Sequence, residues 1–91
     1  MSIGELWSGF VSENPARMRR LTEARVPDVW HDMMGPDVMS LTSSVELRNG
    51  TLYVALTSSV LRQELFMRRA DMMHELNKRL GMDVVRAIVI R

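Results

Sequence analysis

Asn49 and Gly50 separate two stretches of sequence in which apolar and polar residues alternate. Apolar residues stand at every second position on both sides of this pair: Val45, Leu47, Leu52, Val54 and Leu56. A spacing of two is typical of a β-strand with one buried face. Asn-Gly is a preferred pair for a type I′ turn, because both central residues of that turn need positive φ. The sequence therefore predicts a β-hairpin that begins near Thr42 and ends near Thr57.

Two helical segments are predicted before the hairpin. In the first, Ser2 and Glu5 have the spacing of a capping box, and apolar residues recur at helical intervals: Ile3, Leu6, Trp7, Phe10 and Val11. The second begins near Ala16, after Asn14-Pro15, and has its own apolar residues: Met18, Leu21, Val29, Trp30, Met33 and Met34. We expect Trp7 and Trp30 in the core, where large aromatic side chains dominate burial.

The second segment contains Pro27, which should kink the helix or divide it near Arg25 into two pieces. Gly35-Pro36 should end it, because glycine tolerates positive φ and proline cannot continue a helix. Residues 36–41 are predicted to form a short loop or a single turn.

After the hairpin, Thr57, Ser58 and Ser59 supply hydroxyl groups for a helix cap. A helix from Val60 to Leu80, the longest of the chain, should follow. One side of it is apolar: Leu61, Leu65, Met72, Leu76 and Leu80. Gly81 should end it, and the β-branched residues between 84 and 90 predict a third strand, reached by a right-handed crossover. The sequence does not decide which of the first two strands it pairs with.

These elements predict an α+β fold in which helices cover one face of a three-stranded sheet. The length of 91 residues indicates a single domain over residues 1–91. The absence of cysteine excludes disulfides and thiolate sites and fits the cytoplasm. No apolar run is long enough to cross a bilayer, and no secretion signal is recognisable. The net charge of +1 would not by itself attract nucleic acid, so such binding needs a local basic patch.

Basic residues form two clusters on the predicted helices. The second helix carries Arg17, Arg19, Arg20 and Arg25. The long helix carries the candidate nucleic-acid contacts: Arg62, Arg68, Arg69, Lys78 and Arg79. Contacts to phosphates would make them a sequence-independent binding surface. The alternative is an ordinary solvated helix face with ion pairs between residues four apart, because acidic residues are interleaved: Glu23, Glu64, Asp71 and Glu75.

Three residues are candidates for contact with a partner: Tyr53, Met67 and Met73. Tyr53 alternates with the apolar residues of its strand and should lie on the opposite sheet face. There it could stack on a base or a partner side chain, or pack on a neighbouring strand. Met67 and Met73, together with Met82, could form an adaptable docking surface, or they could complete the core.

No group of residues predicts catalysis or a cofactor. His31 and His74 each have acidic neighbours in the sequence, but neither has the spacing of a metal site. Ser58 and Ser59 lack the surrounding glycines of a nucleophile elbow. We therefore expect a binding protein without metal or cofactor, not an enzyme.

The order of elements and several short stretches resemble the DciA family of bacterial proteins. The most specific stretch is residues 49–59 (Asn-Gly-Thr-Leu-Tyr-Val-Ala-Leu-Thr-Ser-Ser), which leads into the Leu-Arg-Gln-Glu-Leu of residues 61–65. Trp30 before Gly35, Leu76-Asn77, Gly81 and the closing Ile-Val-Ile-Arg also fit. The start, Ser2-Ile3-Gly4-Glu5, is similar to that of the short, single-domain members found in the Bacteroidetes group. The resemblance spans essentially the whole chain.

This resemblance implies a KH-like fold and a role in replication initiation. The partner implied is the DnaB-type replicative helicase, whose loading onto DNA such proteins promote, with a location in the cytoplasm at the nucleoid. The chain has neither a basic tail before its first helix nor the Gly-x-x-Gly loop of KH domains. We therefore expect any binding of single- or double-stranded DNA to be weak and sequence-independent. A protein-binding or self-associating module, such as a homodimer, without DNA binding is the alternative.

Overall fold

The computed structural model describes residues 15–91. In chain order its elements are α1 (Pro15–Met34), α2 (Pro36–Ser40), β1 (Thr42–Arg48), β2 (Thr51–Leu56), α3 (Ser59–Met67), α4 (Arg69–Leu80) and β3 (Ala87–Ile90). The helix predicted around residues 2–11, and the core position expected for Trp7, lie outside the described residues. None of the described helices is both long and apolar enough to span a membrane.

The hairpin forms at the Asn-Gly pair as predicted. Asn49 has φ 51° and Gly50 has φ 81°, the positive values that a type I′ turn requires. The strands β1 and β2 are antiparallel, and Arg48 pairs with Thr51 next to the turn. The alternate residues of β2 are buried, which places Tyr53 on the opposite face of the sheet, as expected.

The third strand pairs with β2 in parallel orientation, so the strand order is β1-β2-β3. The sequence alone did not show which of the first two strands β3 pairs with. The strand is shorter than predicted, because residues 83–86 form no regular structure. In this loop Val85 donates to the side-chain oxygen of Asn77 (2.9 Å), and its carbonyl accepts from the Asn77 amide (2.8 Å). Both backbone groups of Val85 are thereby engaged by α4 instead of a neighbouring strand.

The prediction that Pro27 divides the second helix is wrong, because α1 runs without interruption for 20 residues. Proline inside a helix removes one backbone hydrogen bond and costs about 3 kcal/mol. Val26 and Trp30, on either side of Pro27, are fully buried. Burying two such side chains stabilises by about 1.5–3 kcal/mol each, which is enough to keep the helix continuous.

The single long helix predicted from Val60 to Leu80 is also wrong. The structure has two helices, α3 and α4, with a break at Arg68, where φ is −102° and ψ is 12°. The apolar side of the segment is interrupted at this point, because Arg68 and Arg69 stand between Leu65 and Met72. The break lets α3 pack against β2 and β3 while α4 packs against α1 and β3. The longest described helix is α1.

Both predicted helix boundaries of this region are confirmed. The Ser58 hydroxyl accepts a hydrogen bond from the backbone N–H of Leu61 (3.2 Å) and so caps α3. Gly81 has φ 74° and ψ 16°, a left-handed conformation that ends α4.

The core lies between the sheet and the helices. Its buried apolar residues come from every layer: Val26, Trp30, Leu52, Val54, Leu56, Leu65, Met72, Leu76, Leu80, Val84, Val85 and Ile88. Trp30 is in the core as expected, although its indole N–H has no hydrogen-bond acceptor among residues 15–91. The fold is α+β, with N-terminal helices followed by β-β-α-α-β, and the predicted KH-like arrangement is confirmed.

Candidate functional site

Arg62 is the most strongly fixed of the five basic residues proposed to contact nucleic acid. Its guanidinium donates to the carbonyl oxygen of Leu56 (3.0 Å) and to the Ser59 hydroxyl (3.0 Å). It is half-buried. These contacts hold the end of β2 against the start of α3, so Arg62 has a structural role that does not depend on a ligand.

Two more of these residues form ion pairs with a glutamate four positions earlier in the chain. Arg68 pairs with Glu64 (2.7 Å), and Arg79 pairs with Glu75 (2.9 Å). The hydrogen bond from Arg79 lowers the pKa of Glu75 below its ordinary value of 4.5. Ion pairs between residues four apart, the alternative to phosphate contact that the interleaved charges suggested, are therefore present at Arg68 and Arg79. Lys78 is exposed and belongs to none of the salt bridges found among residues 15–91.

Arg69 contacts an aromatic side chain at the edge of a shallow groove. Its guanidinium carbon lies 3.8 Å from the ring centroid of Phe66, and its Nε donates to the Phe66 carbonyl (3.0 Å). The groove encloses about 320 Å³ and lies between the α3–α4 junction and β3. Its lining residues are Phe66, Met67, Arg69, Ala70, Met73, Ala87 and Ile88.

The groove brings together two of the three residues proposed to contact a partner. Met67 is 69% exposed and Phe66 is 51% exposed, so two large apolar side chains lie next to each other at the surface. Met73 is partly buried and packs against the core from the groove floor. Met82 is also partly buried, and it lies in a separate polar recess near Lys78 and Asp83.

Tyr53 does not belong to this groove. It lies on the sheet face opposite the helices, in register with Glu46 of β1 and Val89 of β3. The guanidinium carbons of Arg48 and Arg91 each lie 5.1 Å from its ring centroid. The proposed partner residues therefore divide between two surfaces.

Sequence reasoning missed this arginine cluster on the sheet. Arg48 is the last residue of β1 and Arg91 follows β3, and the two are 43 positions apart in the sequence. Only the strand order, with β2 in the middle, brings both of them to Tyr53. Arg86 is also near, and its Nη2 donates to the carbonyl of Asn49 (3.0 Å). The alternation of Tyr53 with buried residues marked the right face, but no local signal showed that β3 would follow β2 in the sheet.

The basic cluster on α1 has fewer internal contacts. Arg19 pairs with Glu23 (3.3 Å), whereas Arg17, Arg20 and Arg25 are exposed. His31 and His74 are exposed as well. Among residues 15–91, no three acidic or histidine side chains are grouped so that they could hold a metal ion.

Comparison with known proteins gives one match. The family model described as "Dna[CI] antecedent, DciA" matches residues 2–90. Neither the curated proteins nor the solved structures contain a match to this chain.

Proposed function

The chain belongs to the DciA family, which is related to loading of the DnaB helicase, and we propose that it is a non-enzymatic adaptor of replication initiation. In this role it binds the replicative helicase and promotes its loading onto DNA, in the cytoplasm at the nucleoid. The observation that carries the proposal is the family match, which spans 2–90 of 91 residues and thus the whole described fold.

The groove at the α3–α4 junction is the surface that we propose for the helicase. Exposed apolar side chains in a concave site are typical of protein-docking surfaces, and methionine adapts well to a partner. The Arg69 guanidinium at the groove edge favours a partner segment that combines apolar and acidic side chains. Met67 and Met73 would contact the apolar part.

The experiment is capture of the replicative helicase by the purified chain, with a substitution inside the groove and a matched one outside it. Met67→Asp should reduce capture about tenfold or more, because a carboxylate would be buried against the apolar partner. Val60→Asp is the control, since Val60 is 82% exposed, lies on the same helix and does not line the groove. Failure of the unmodified chain to capture the helicase would contradict the proposed function.

For DNA, the basic residues of α3, of α4 and of the break between them are proposed as phosphate contacts: Arg62, Arg68, Arg69, Lys78 and Arg79. A surface that neutralises about four phosphates should lose roughly two orders of magnitude in affinity between 50 and 200 mM salt. Arg68→Glu combined with Arg69→Glu should then abolish binding. The second candidate function is a protein-binding or self-associating module without DNA contact. The ion pairs of Arg68 and Arg79 favour it, because they already engage two of the five basic residues. For such a module, the double substitution would leave a DNA-binding measurement unchanged.

A further inference from the structure

The sheet face opposite the helices carries a compact group of cationic and aromatic side chains. Arg48 ends β1, Arg91 follows β3, and both reach over Tyr53 in the strand between them. A guanidinium over an aromatic ring is attracted by the negative charge of the ring face. These contacts favour positions of both side chains near Tyr53 before any ligand arrives, which reduces the entropy lost on binding.

The charge of this face is positive. Glu46 is the acidic residue of β1, and it lies 3.2 Å from Arg48. Both side chains of the pair are more than half exposed, so water weakens their attraction and the Arg48 guanidinium can exchange partners. Arg86 and Arg91 take part in none of the salt bridges found among residues 15–91. Arg86 adds its charge at the hairpin end of the sheet.

The surroundings of Tyr53 leave room for a flat ligand. Its neighbours on the same face of β2 are Thr51 and Ala55, and those on β3 are Ala87 and Val89. These side chains are small compared with the ring and the two arginines. The face is therefore a shallow platform with Tyr53 near its centre.

We propose that this platform binds single-stranded nucleic acid, with Arg48 and Arg91 on neighbouring phosphates and a base stacked against Tyr53 or a guanidinium plane. Guanidinium groups bind phosphates in a fork geometry, and both they and tyrosine stack on bases. The inference rests on the proposed function, in which the chain acts on DNA, and it adds a contact surface on the sheet to the one proposed on the helices.

A single strand fits this surface better than a duplex. The bases of a duplex are stacked on one another, and protein reaches their edges through a groove with a helix or a narrow ribbon. A shallow sheet face does not enter a groove, whereas an unpaired strand exposes both bases and phosphates to it. Among residues 15–91, Tyr53 is the one aromatic residue of this face, and its cross-strand neighbour is Glu46. The two arginines are proposed on phosphates, so few side chains are left to contact base edges and sequence preference should be weak.

The test is fluorescence anisotropy with a labelled oligothymidine, at low salt and over a salt series. Arg48→Glu combined with Arg91→Glu should raise the Kd about tenfold or more and reduce the salt dependence by about 0.7 in slope for each lost phosphate contact. Tyr53→Val should raise the Kd about fivefold or more, since stacking on one aromatic is worth roughly that factor, while valine retains strand propensity. Circular dichroism verifies that each variant is folded.

Arg17→Glu combined with Arg20→Glu is the matched control. It makes the same change in net charge at two exposed residues of α1, which are not part of the sheet. It should change the Kd by less than about threefold, because only the long-range field is altered.

The outcomes separate this inference from the proposed function. If the sheet variants bind as tightly as the unmodified chain, or if the α1 control loses as much affinity as they do, the inference is overturned. A duplex that binds as tightly as the single strand would overturn it as well. If the unmodified chain does not bind the oligothymidine even at low salt, the inference is also overturned. The proposed function would still be tested separately, by capture of the helicase.

Discussion

At the scale of single residues, Asn77 fixes the loop that leads into the third strand. Its amide bonds both backbone groups of Val85, a residue that is 1% exposed. Buried backbone groups that lose their partners destabilise a fold by about 1–3 kcal/mol. One side chain of α4 therefore holds the loop that leads into β3, while Arg91 is positioned by backbone hydrogen bonds to Val54 and Leu56 of β2.

Asn77→Ala should lower the free energy of unfolding by about 1–3 kcal/mol, because Val85 would keep no side-chain partner. Asn77→Asp retains an acceptor for the Val85 N–H, but its second carboxylate oxygen would face the Val85 carbonyl oxygen, and two acceptors repel each other. This variant should therefore also lower the free energy of unfolding. Lys78→Ala, at the exposed neighbouring position, is the control and should have little effect. Urea unfolding measures all three, and an unchanged midpoint for Asn77→Ala would contradict this role.

The ion pair of Glu75 with Arg79 should make the stability of the fold depend on pH. Its pKa in the folded chain lies below the ordinary value of 4.5, chiefly because Arg79 donates a hydrogen bond to it. The pair therefore contributes stability above about pH 4.5, and this contribution is lost as the pH falls through the folded-state pKa. Thermal unfolding should show Glu75→Gln less stable than the unmodified chain at neutral pH, with a difference that shrinks in acid. A difference that stays constant from neutral pH into strong acid would contradict this assignment.

At the scale of elements, α1 contains an unfavourable residue that tertiary packing tolerates. Pro27 has no N–H to donate to the carbonyl of Glu23, four residues before it. The helix continues because Val26 and Trp30 are buried in the core on either side. The element is thus stabilised by contacts far away in sequence and not by its own propensity.

Pro27→Ala should raise the free energy of unfolding by about 1–3 kcal/mol, since it restores a backbone hydrogen bond and removes the steric conflict of the ring. Asp28→Ala changes an exposed position of the same helix and should alter stability by no more than about 0.5 kcal/mol. Chemical denaturation of the two variants is the measurement. A Pro27→Ala chain that is less stable than the unmodified one would show that the proline ring itself contributes to packing.

At the scale of the whole molecule, one core supports two surfaces that face different ways. The groove with Met67 and Met73 opens on the helical side, whereas Tyr53 and its arginines lie on the opposite face of the sheet. The strand β3 contributes to both, through Ala87 and Ile88 in the groove and Val89 beside Tyr53. The surface that we propose for a protein partner and the one that we propose for a nucleic-acid strand therefore centre on different residues.

Leu76→Ala tests the shared core, because Leu76 is fully buried on α4. It should lower the free energy of unfolding by about 2–5 kcal/mol, a large part of the stability of a small domain. Phe66→Ala should cost clearly less, since Phe66 is half exposed at the groove, but it should weaken capture of the helicase. Urea unfolding and helicase capture on the same samples separate the two effects. Equal loss of stability in both variants would place Phe66 in the core instead.

The parts of the fold that the sequence predicts well depend on neighbouring residues. The positive φ values of Asn49 and Gly50, the Ser58 cap and the Gly81 terminus follow from local conformational preferences, which act in any context. The burial pattern of β2, and the face on which Tyr53 lies, follow from alternation along a single strand.

By itself, then, the sequence determined the hairpin and the helix boundaries around it, because each depends on a short stretch of chain. The α+β class follows from the order of these elements, and the family from the sequence of almost the whole chain. The tertiary structure decided that α1 continues through Pro27, that the helix breaks at Arg68 and that β3 lies beside β2. The continuation of α1 and the place of β3 depend on contacts with residues distant in sequence, which local preferences do not report. The break at Arg68 also has a local cause, since Arg68 and Arg69 interrupt the apolar side of the segment. The same strand order brings Arg48 and Arg91 to one tyrosine, and so the sheet platform exists only in the folded chain.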